Sequence, residues 1–383
     1  MAEADRVLLV TRNLPPLLGG MERLNWHIVE QLLQSCEVRV VAPAGSELPL
    51  HPDVQLFGAP ARPLWRFLAG ALCLSLIQAW RWRPQTVVAG SGLTAPLAWM
   101  AARVCGARAL VYLHGMDIGL RHPLYAALWL PFIRRMDLVI ANSSATRALA
   151  LARGVPPSRI RLLHPGVAMP AAGAPAAPAS FRETYGLGPG PILLSVGRLT
   201  ERKGLLEFVR DVLPLIAAQH PTLEMVIVGH TADDALAARS QSRDSILAEA
   251  RRHGMQDRIR FVGAITDIDQ LAAAYRMADV HVFPVREIQG DPEGFGMVAI
   301  EAAAHGLPTV AYATGGVVDA VAEGVSGNLV APHDADAFAA RVNALLHEAL
   351  PKPPMRAFAS RFAWPVFGDA LRGILRGLTG PGR

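Results

Sequence analysis

The chain has 383 residues, 51% of them hydrophobic and 18% charged, with a net charge of +5; this excludes a disordered or fibrous protein and allows two or more domains with real cores. Its three cysteines (Cys36, Cys73, Cys105) are odd in number and lack Cys-x-x-Cys spacing, which argues against a disulfide framework or zinc site and fits a reducing cytosol. The charge is uneven: residues 1–170 hold 17 arginines, no lysine and 9 acidic groups, or +8, while the remainder holds 20 basic and 23 acidic groups, or −3.

Ala2-Glu3-Ala4-Asp5 runs straight into an apolar strand, Val7–Thr11, so a secretory leader is not expected and a cytoplasmic location is. Gly19 and Gly20 lie in the loop after that strand, before a helix over Met21–Leu33. Further strands are predicted at Val38–Ala42, Val87–Ala89, Ala109–Leu113 and Leu138–Ala141. Between the second and third lies an apolar stretch, Leu64–Trp82, with Arg62 and Arg66 at one end, Arg81 and Arg83 at the other, and Trp65, Trp80 and Trp82 at its edges. Its uninterrupted part, Phe67–Ile77, is too short to span a bilayer. A buried helix and an interfacial helix both fit it. Tyr125–Arg135, ending in Phe132, Arg134 and Arg135, has similar character. The arginine excess reflects either codon usage or attraction to an anionic surface. With no nucleic-acid motif and no basic run interleaved with aromatics, nucleic acid is not expected as a partner, and a membrane surface is the better candidate. Asn142-Ser143-Ser144 spells a glycosylation sequon, inert without secretion.

A break made almost wholly of Ala, Pro and Gly follows, Met169 to Ser180, which suits a solvated linker. The strand–helix alternation then restarts with Ile192–Val196, Met225–Val228, Arg260–Val262, Val280–Phe283, Thr309–Ala311 and Asn328–Val330. The fold class is therefore α/β, with a doubly wound parallel plan occurring twice. The expected boundaries are 1–168 for the first domain, 169–190 for the linker, 191–354 for the second domain and 355–383 for a terminal helical segment. Ligands in such sheets bind beyond the carboxyl ends of the strands, so two facing halves place the site in the cleft between them.

Three segments at strand ends could carry chemistry. Gly197-Arg198-Leu199-Thr200-Glu201-Arg202-Lys203-Gly204 follows the strand Ile192–Val196. Arg198 can fork onto phosphate oxygens and Lys203 can add a point charge; a merely solvated basic loop is the alternative. The segment is not a Walker A loop, because the Gly-Lys-Ser/Thr order is missing. In Asp291–Glu301 two carboxylates, Glu293 and Glu301, stand eight residues apart around Gly294 and Gly296, just before a helix over Met297–Ala304. Bare amides at that helix start suit phosphate. Glu301 can grip two ribose hydroxyls, and Glu293 a sugar hydroxyl or a developing positive charge. The bland alternative is a helix cap plus a surface glutamate. His114-Gly115-Met116-Asp117 follows the strand Ala109–Leu113, and His114, with Asp117 as a nearby acceptor, can hold a substrate hydroxyl. Phosphates and hydroxyls together describe a nucleotide-sugar.

Other signals are refused. Asp267-Ile268-Asp269 spells the Asp-x-Asp of metal-dependent sugar transferases, but it precedes the helical run Leu271–Met277, where Asp is the expected cap. No Gly-x-Ser-x-Gly elbow and no Gly-x-Gly-x-x-Gly fingerprint is present.

Taken together, Gly19-Gly20, His114-Gly115-Met116-Asp117, Asn142-Ser143, His164-Pro165-Gly166-Val167, Gly197-Arg198 with Lys203-Gly204, Glu293 to Glu301, Ala302 to Pro308 and Gly315-Gly316 make a chain that resembles a family 4 glycosyltransferase of the GT-B fold over nearly its whole length. The resemblance implies a retaining, metal-independent hexosyl transfer from a nucleoside-diphosphate sugar, with no cofactor, to a glycan or lipid-linked acceptor. By motif position Arg198 and Lys203 hold the diphosphate, Glu301 the ribose and Glu293 the sugar. His114 meets the sugar near the reacting centre, Gly19 and Gly20 bring backbone to the phosphates, and Asp117 is a candidate on the acceptor side. Gly197, Ile265, Gly294, Phe295, Gly296, Met297 and Val298 complete the implied donor contacts. His114, Glu293, Arg198 and Lys203 form the implied catalytic set, with the leaving phosphate itself helping to deprotonate the acceptor, so Glu293 is not assigned as a nucleophile. The arginine-rich first half looks most like bacterial enzymes acting on lipid-linked glycans and phosphatidylinositol. Ser35-Cys36-Glu37-Val38 replaces the family's usual Gly-His-Glu-Val, and Asp319 stands where glutamate is usual. Met355–Leu375, with Trp364 near its middle, resembles the terminal helix that crosses back to the first domain. Three other readings stay open: a pyridoxal-phosphate phosphorylase using Lys203, a nucleotide-sugar epimerase of the same fold, and a non-catalytic binding subunit.

Overall fold

The structure, a computed structural model, describes residues 5–17, 19–48, 51–171, 179–231 and 240–379. The chain forms two compact units: Met1–Gly166 together with Trp364–Arg383, and Val167–Ala363.

The first unit holds seven parallel strands, β1 (Asp5–Val10), β2 (Cys36–Pro43), β3 (Gln55–Ala59), β4 (Thr86–Ala89), β5 (Arg108–Leu113), β6 (Leu138–Ala141) and β7 (Ile160–Leu162), in the order β3-β2-β1-β4-β5-β6-β7. Every residue of β4 and β6 is buried, as expected of parallel strands covered by helices on both faces. Sequence pattern does not reveal β3 and β7, the two edges. Gln55, Leu56 and Gly58 of the one, and Arg161 and Leu162 of the other, are exposed, so neither carries an apolar run. The order reverses between β1 and β4, a topological switch point.

The stretch Leu64–Trp82 is one helix. Phe67, Ala71, Ser75, Gln78, Ala79 and Trp82 form its buried stripe, spaced as one helical face requires. Trp65 and Trp80 are 65% and 66% exposed, and Ile77 also faces outward. Tyr125–Arg135 falls in two short helices, Pro123–Leu128 and Leu130–Arg135. Among the described residues no helix is long and apolar enough to cross a membrane.

The second unit holds β8 (Ile192–Val196), β9 (Glu224–Val228), β10 (Ile259–Gly263), β11 (Val280–Phe283), β12 (Thr309–Tyr312) and β13 (Gly327–Val330), ordered β10-β9-β8-β11-β12-β13 and all parallel. Its switch point lies between β8 and β11. Of the Ala/Pro/Gly break, residues 172–178 lie outside the described residues. The range read as linker nevertheless includes a helix, Ala179–Thr184, whose Phe181 is buried in a cluster with Ile192, Leu194 and Tyr275.

The terminal segment is corrected by the structure. It is not one crossing helix from residue 355 but two, Lys352–Ser360 and Trp364–Thr379. The first belongs to the second unit, where Met355 is fully buried and the helix packs on Met297–Ala304. Only the second belongs to the first unit. There Trp364 stacks on His27 at 3.8 Å, and Arg372 donates to the Gln31 carbonyl at 2.7 Å on the helix Gly20–Leu33.

Candidate active site

The loops after β8, β11 and β12 meet at the switch point of the second unit. Gly197 ends β8, and a tight 3-10 turn over Glu201–Lys203 follows. Such a turn fans consecutive side chains apart, so Arg202 and Lys203 leave the backbone in different directions yet converge on one carboxylate. Lys203 Nζ lies 2.8 Å from Glu293 Oε2, and Arg202 pairs with the same oxygen. The Arg202 Nε–H also donates to Asp291 Oδ1 at 3.1 Å. One guanidinium therefore clasps both carboxylates flanking Pro292. Arg198, half-buried, has no ion-pair partner among the described residues.

The loops are stitched by backbone. The Arg286 N–H donates to the Arg202 carbonyl at 2.8 Å, and the Gly316 N–H to the Glu293 carbonyl at 2.9 Å. Gly315 has φ +52°, and a Cβ there would lie 2.7 Å from the Glu293 oxygen, so the Gly315-Gly316 pair lets the β12 loop lie against the glutamate. Gly296 has φ +94° at the cap of the helix Met297–Ala304, and a Cβ would meet Phe283 at 2.9 Å. A bulkier residue is excluded there twice, by conformation and by space. The first amides of that helix have no intrahelical partner.

Electrostatics follow from burial. Desolvation alone would raise the Glu293 carboxyl, but the charges of Arg202 and Lys203 overcome it and the net direction is down, so Glu293 is ionised. Burial instead wins at Asp291, which is raised in spite of Arg202. Burial pulls Lys203 below the ordinary lysine range, against the opposing pull of Glu293. Its ammonium also sits 4.5 Å over the Phe283 ring, a cation–π contact. Beneath it His281 is fully buried, and burial together with the Lys203 charge pushes its pKa down to about 3, so this ring is neutral.

Glu301 lies on the same helix and is 9% exposed. The Tyr275 hydroxyl donates to its Oε2 at 2.8 Å. Thus Arg198, Lys203, Glu293, Gly294, Gly296, Met297, Val298 and Glu301 all lie on loops or a helix at one end of one sheet. Ile265, beyond β10, is half-buried against the cluster that holds Tyr275. The Phe295 side chain is 3% exposed and packs toward Phe362, so only its backbone can meet a ligand. Sequence reading missed Arg202 and Tyr275. A charge count could have found the first: two acids beside Pro292 need more cationic partners than Lys203 alone. Nothing in spacing marks Tyr275, which is 26 residues from its glutamate.

In the first unit His114 Nε2 donates to the Gly90 carbonyl at 2.8 Å, which fixes the ring at the end of β5 and turns Nδ1 away from that carbonyl. The Asp117 carboxylate already accepts three backbone hydrogen bonds. Its Oδ1 accepts from the His114 and Gly115 amides at 2.9 and 3.1 Å, and its Oδ2 from the Gly92 amide at 2.8 Å. It ties the loops after β4 and β5 together, a structural role that three backbone donors explain. Gly19 precedes the helix Gly20–Leu33, close to Glu22, whose carboxylate accepts from Asn13 at 2.7 Å. Asp267 caps the helix Ile268–Met277, accepting from the Asp269 and Gln270 amides at 2.8 and 2.9 Å, as its place in sequence predicts.

Two Rossmann-like units in one chain, with charged loops and a helix start at the switch point of the second, define the GT-B class. The sequence matches Glycosyltransferase Family 4 over residues 18–169 and Glycosyl transferases group 1 over residues 180–360; the chain belongs to these glycosyltransferases. It is 29% identical, over 97% of its length and 98% of the relative's, to a GDP-mannose-dependent alpha-(1-6)-phosphatidylinositol monomannoside mannosyltransferase of Mycolicibacterium smegmatis. It is 37% identical to D-inositol 3-phosphate glycosyltransferase 2 of Catenulispora acidiphila, over 55% of this chain and 48% of that one. Its fold is similar to that of Anabaena HepE crystallised with UDP-glucose, with a TM-score of 0.77, 20% identity, and coverage of 97% and 99% of the two chains.

Proposed function

We propose that the chain is a retaining, metal-independent hexosyltransferase that moves mannose or glucose from a nucleoside-diphosphate sugar to a glycan or lipid-linked acceptor. The observation that carries this reading is the cluster of Arg198, Arg202 and Lys203 facing Asp291 and Glu293 beside the start of the helix Met297–Ala304. Arg198, Lys203 and the first helix amides neutralise the diphosphate as its charge grows. Glu301 takes the ribose. Glu293, held ionised by its two cations, takes a sugar hydroxyl. The bond from the anomeric carbon to the diphosphate breaks, and the bond to the acceptor oxygen forms on the same face. The acceptor proton passes to the departing phosphate oxygen. The full-length mannosyltransferase relative makes GDP-mannose the first donor to try. With GDP-mannose, phosphatidylinositol vesicles and EDTA, the expected product is an α-mannoside, checked by NMR of its anomeric proton. A β product, activity abolished by EDTA, or release of a free epimerised sugar without acceptor would each overturn the reading.

The same proposal places the first unit on an anionic membrane face. Trp65, Ile77 and Trp80 stand outward from the helix Leu64–Trp82 with Arg62, Arg66, Arg81 and Arg83 exposed around them. This is the composition of an interfacial helix. Binding to phosphatidylglycerol vesicles is expected to fall with salt, and Arg66→Gln with Arg81→Gln to weaken it by about 1 kcal/mol per charge. Equal binding to neutral phosphatidylcholine vesicles would contradict this.

A further inference from the structure

The hydroxyl of Tyr275 is the least expected member of the site. Tyr275 lies on the helix Ile268–Met277 and is 1% exposed, so its hydroxyl cannot turn to bulk water. It donates to Glu301 Oε2 at 2.8 Å. The ring beneath that hydroxyl is itself held: His305 stacks on it, with centroids 5.4 Å apart and planes 6° from parallel, and His281 meets it edge-on at 6.4 Å. Burial, helped by Arg276 and Arg356, pushes His305 down to about 4, so the stacked ring is neutral at ordinary pH. A glutamate side chain on a helix surface has three rotatable bonds to immobilise before it can present both oxygens to a diol. Here a stacked phenol arriving from another helix does that in advance.

We propose that Tyr275 is a positioning residue for nucleotide selection: by fixing the Glu301 carboxylate, it gives the site its preference for a ribose over a deoxyribose. The inference rests on the ribose role of Glu301 proposed above. A rigid carboxylate matched to a diol discriminates strongly against a ligand that lacks one hydroxyl, because the polar group left facing the gap loses its partner. A loose carboxylate can turn to water instead, and so discriminates weakly.

The test is calorimetric binding of GDP and 2′-deoxy-GDP to the wild type, Tyr275→Phe and Glu301→Ala, with thermal melting of each. Tyr275→Phe keeps the ring that stacks on His305 and removes only the hydroxyl. The expected result is that the wild type favours GDP by about tenfold or more, that Glu301→Ala abolishes the preference, and that Tyr275→Phe reduces it to about twofold while weakening GDP itself by about tenfold. In turnover, the donor KM of Tyr275→Phe is expected to rise with kcat nearly unchanged. If Glu301→Ala leaves the ribose preference intact, the ribose reading of the site fails. If Glu301→Ala removes it but Tyr275→Phe keeps it, that reading stands and the positioning role of Tyr275 is overturned. A Tyr275→Phe protein without a cooperative melt also overturns it, since the hydroxyl would then be holding the fold rather than selecting the nucleotide.

Discussion

Arg202→Met is expected to destabilise the second unit by about 3–5 kcal/mol, the usual consequence of removing one partner from a buried ionic cluster. The side chains of Asp291 and Glu293 are 14% and 11% exposed, and without the guanidinium they would share the single ammonium of Lys203. The loss is expected to depend on pH in a definite sense. A lowered Glu293 contributes stability that is complete above the ordinary glutamate value, about 4.3, and is lost as pH falls through its folded value. A raised Asp291 does the reverse: its contribution is complete below the ordinary aspartate value, about 3.9, and is lost as pH rises through its folded value. Removing Arg202 takes away the downward pull on both, so the variant folds with one carboxyl more readily protonated. The gap between wild-type and variant melting temperatures should therefore narrow from about pH 8 to about pH 5. A gap that stays constant or widens would mean that Arg202 acts by packing and not by charge.

Lys203→Met is expected to lower kcat/KM for the donor by about 10²–10³-fold, the scale found when one preorganised charge at a transition state is removed. The wild-type ammonium is confined between the Phe283 ring, at 4.5 Å, and Glu293, at 2.8 Å. A Cβ added to Gly197 would stand 3.4 Å from its Cε. A planar guanidinium is wider than this space, so Lys203→Arg should restore only part of the rate. Single-turnover donor hydrolysis separates the effect on chemistry from any effect on product release. Full activity in Lys203→Met would remove the diphosphate role from this residue.

Much of the architecture could be read before the structure because parallel strands buried on both faces must be apolar throughout. The central strands β6, β8 and β11 coincide with their apolar runs residue for residue. The edges β3 and β7 could not be read, since one face of each meets solvent. In the site, glycines marked the loops correctly, because only they tolerate the positive φ at Gly296 and the close backbone at Gly315. Partnerships were harder. Asp117 reads as an acceptor for substrate in sequence, but three amides claim it, two of them from its own loop and one from the loop after β4. Arg202 was eclipsed by its neighbours because a 3-10 turn, invisible in composition, brings it together with Lys203 onto one carboxylate. Tyr275 and Glu301 meet only through the packing of two helices, which no local pattern encodes.

The return of the terminal helix to the first unit has a consequence for how the protein is made. Residues 167–363 are contiguous and complete the second unit by themselves, whereas the first unit is drawn from segments on both sides of them. Of the two units, the one begun earlier in synthesis is therefore finished later. Until Trp364 and Arg372 emerge, the side of the helix Gly20–Leu33 that carries His27 and Gln31 is bare. At ordinary synthesis speeds the 20 residues from Trp364 take roughly 1–4 s. During that interval the second unit can already be folded, and a stop codon placed just before Trp364 would leave that unit whole and strike the first.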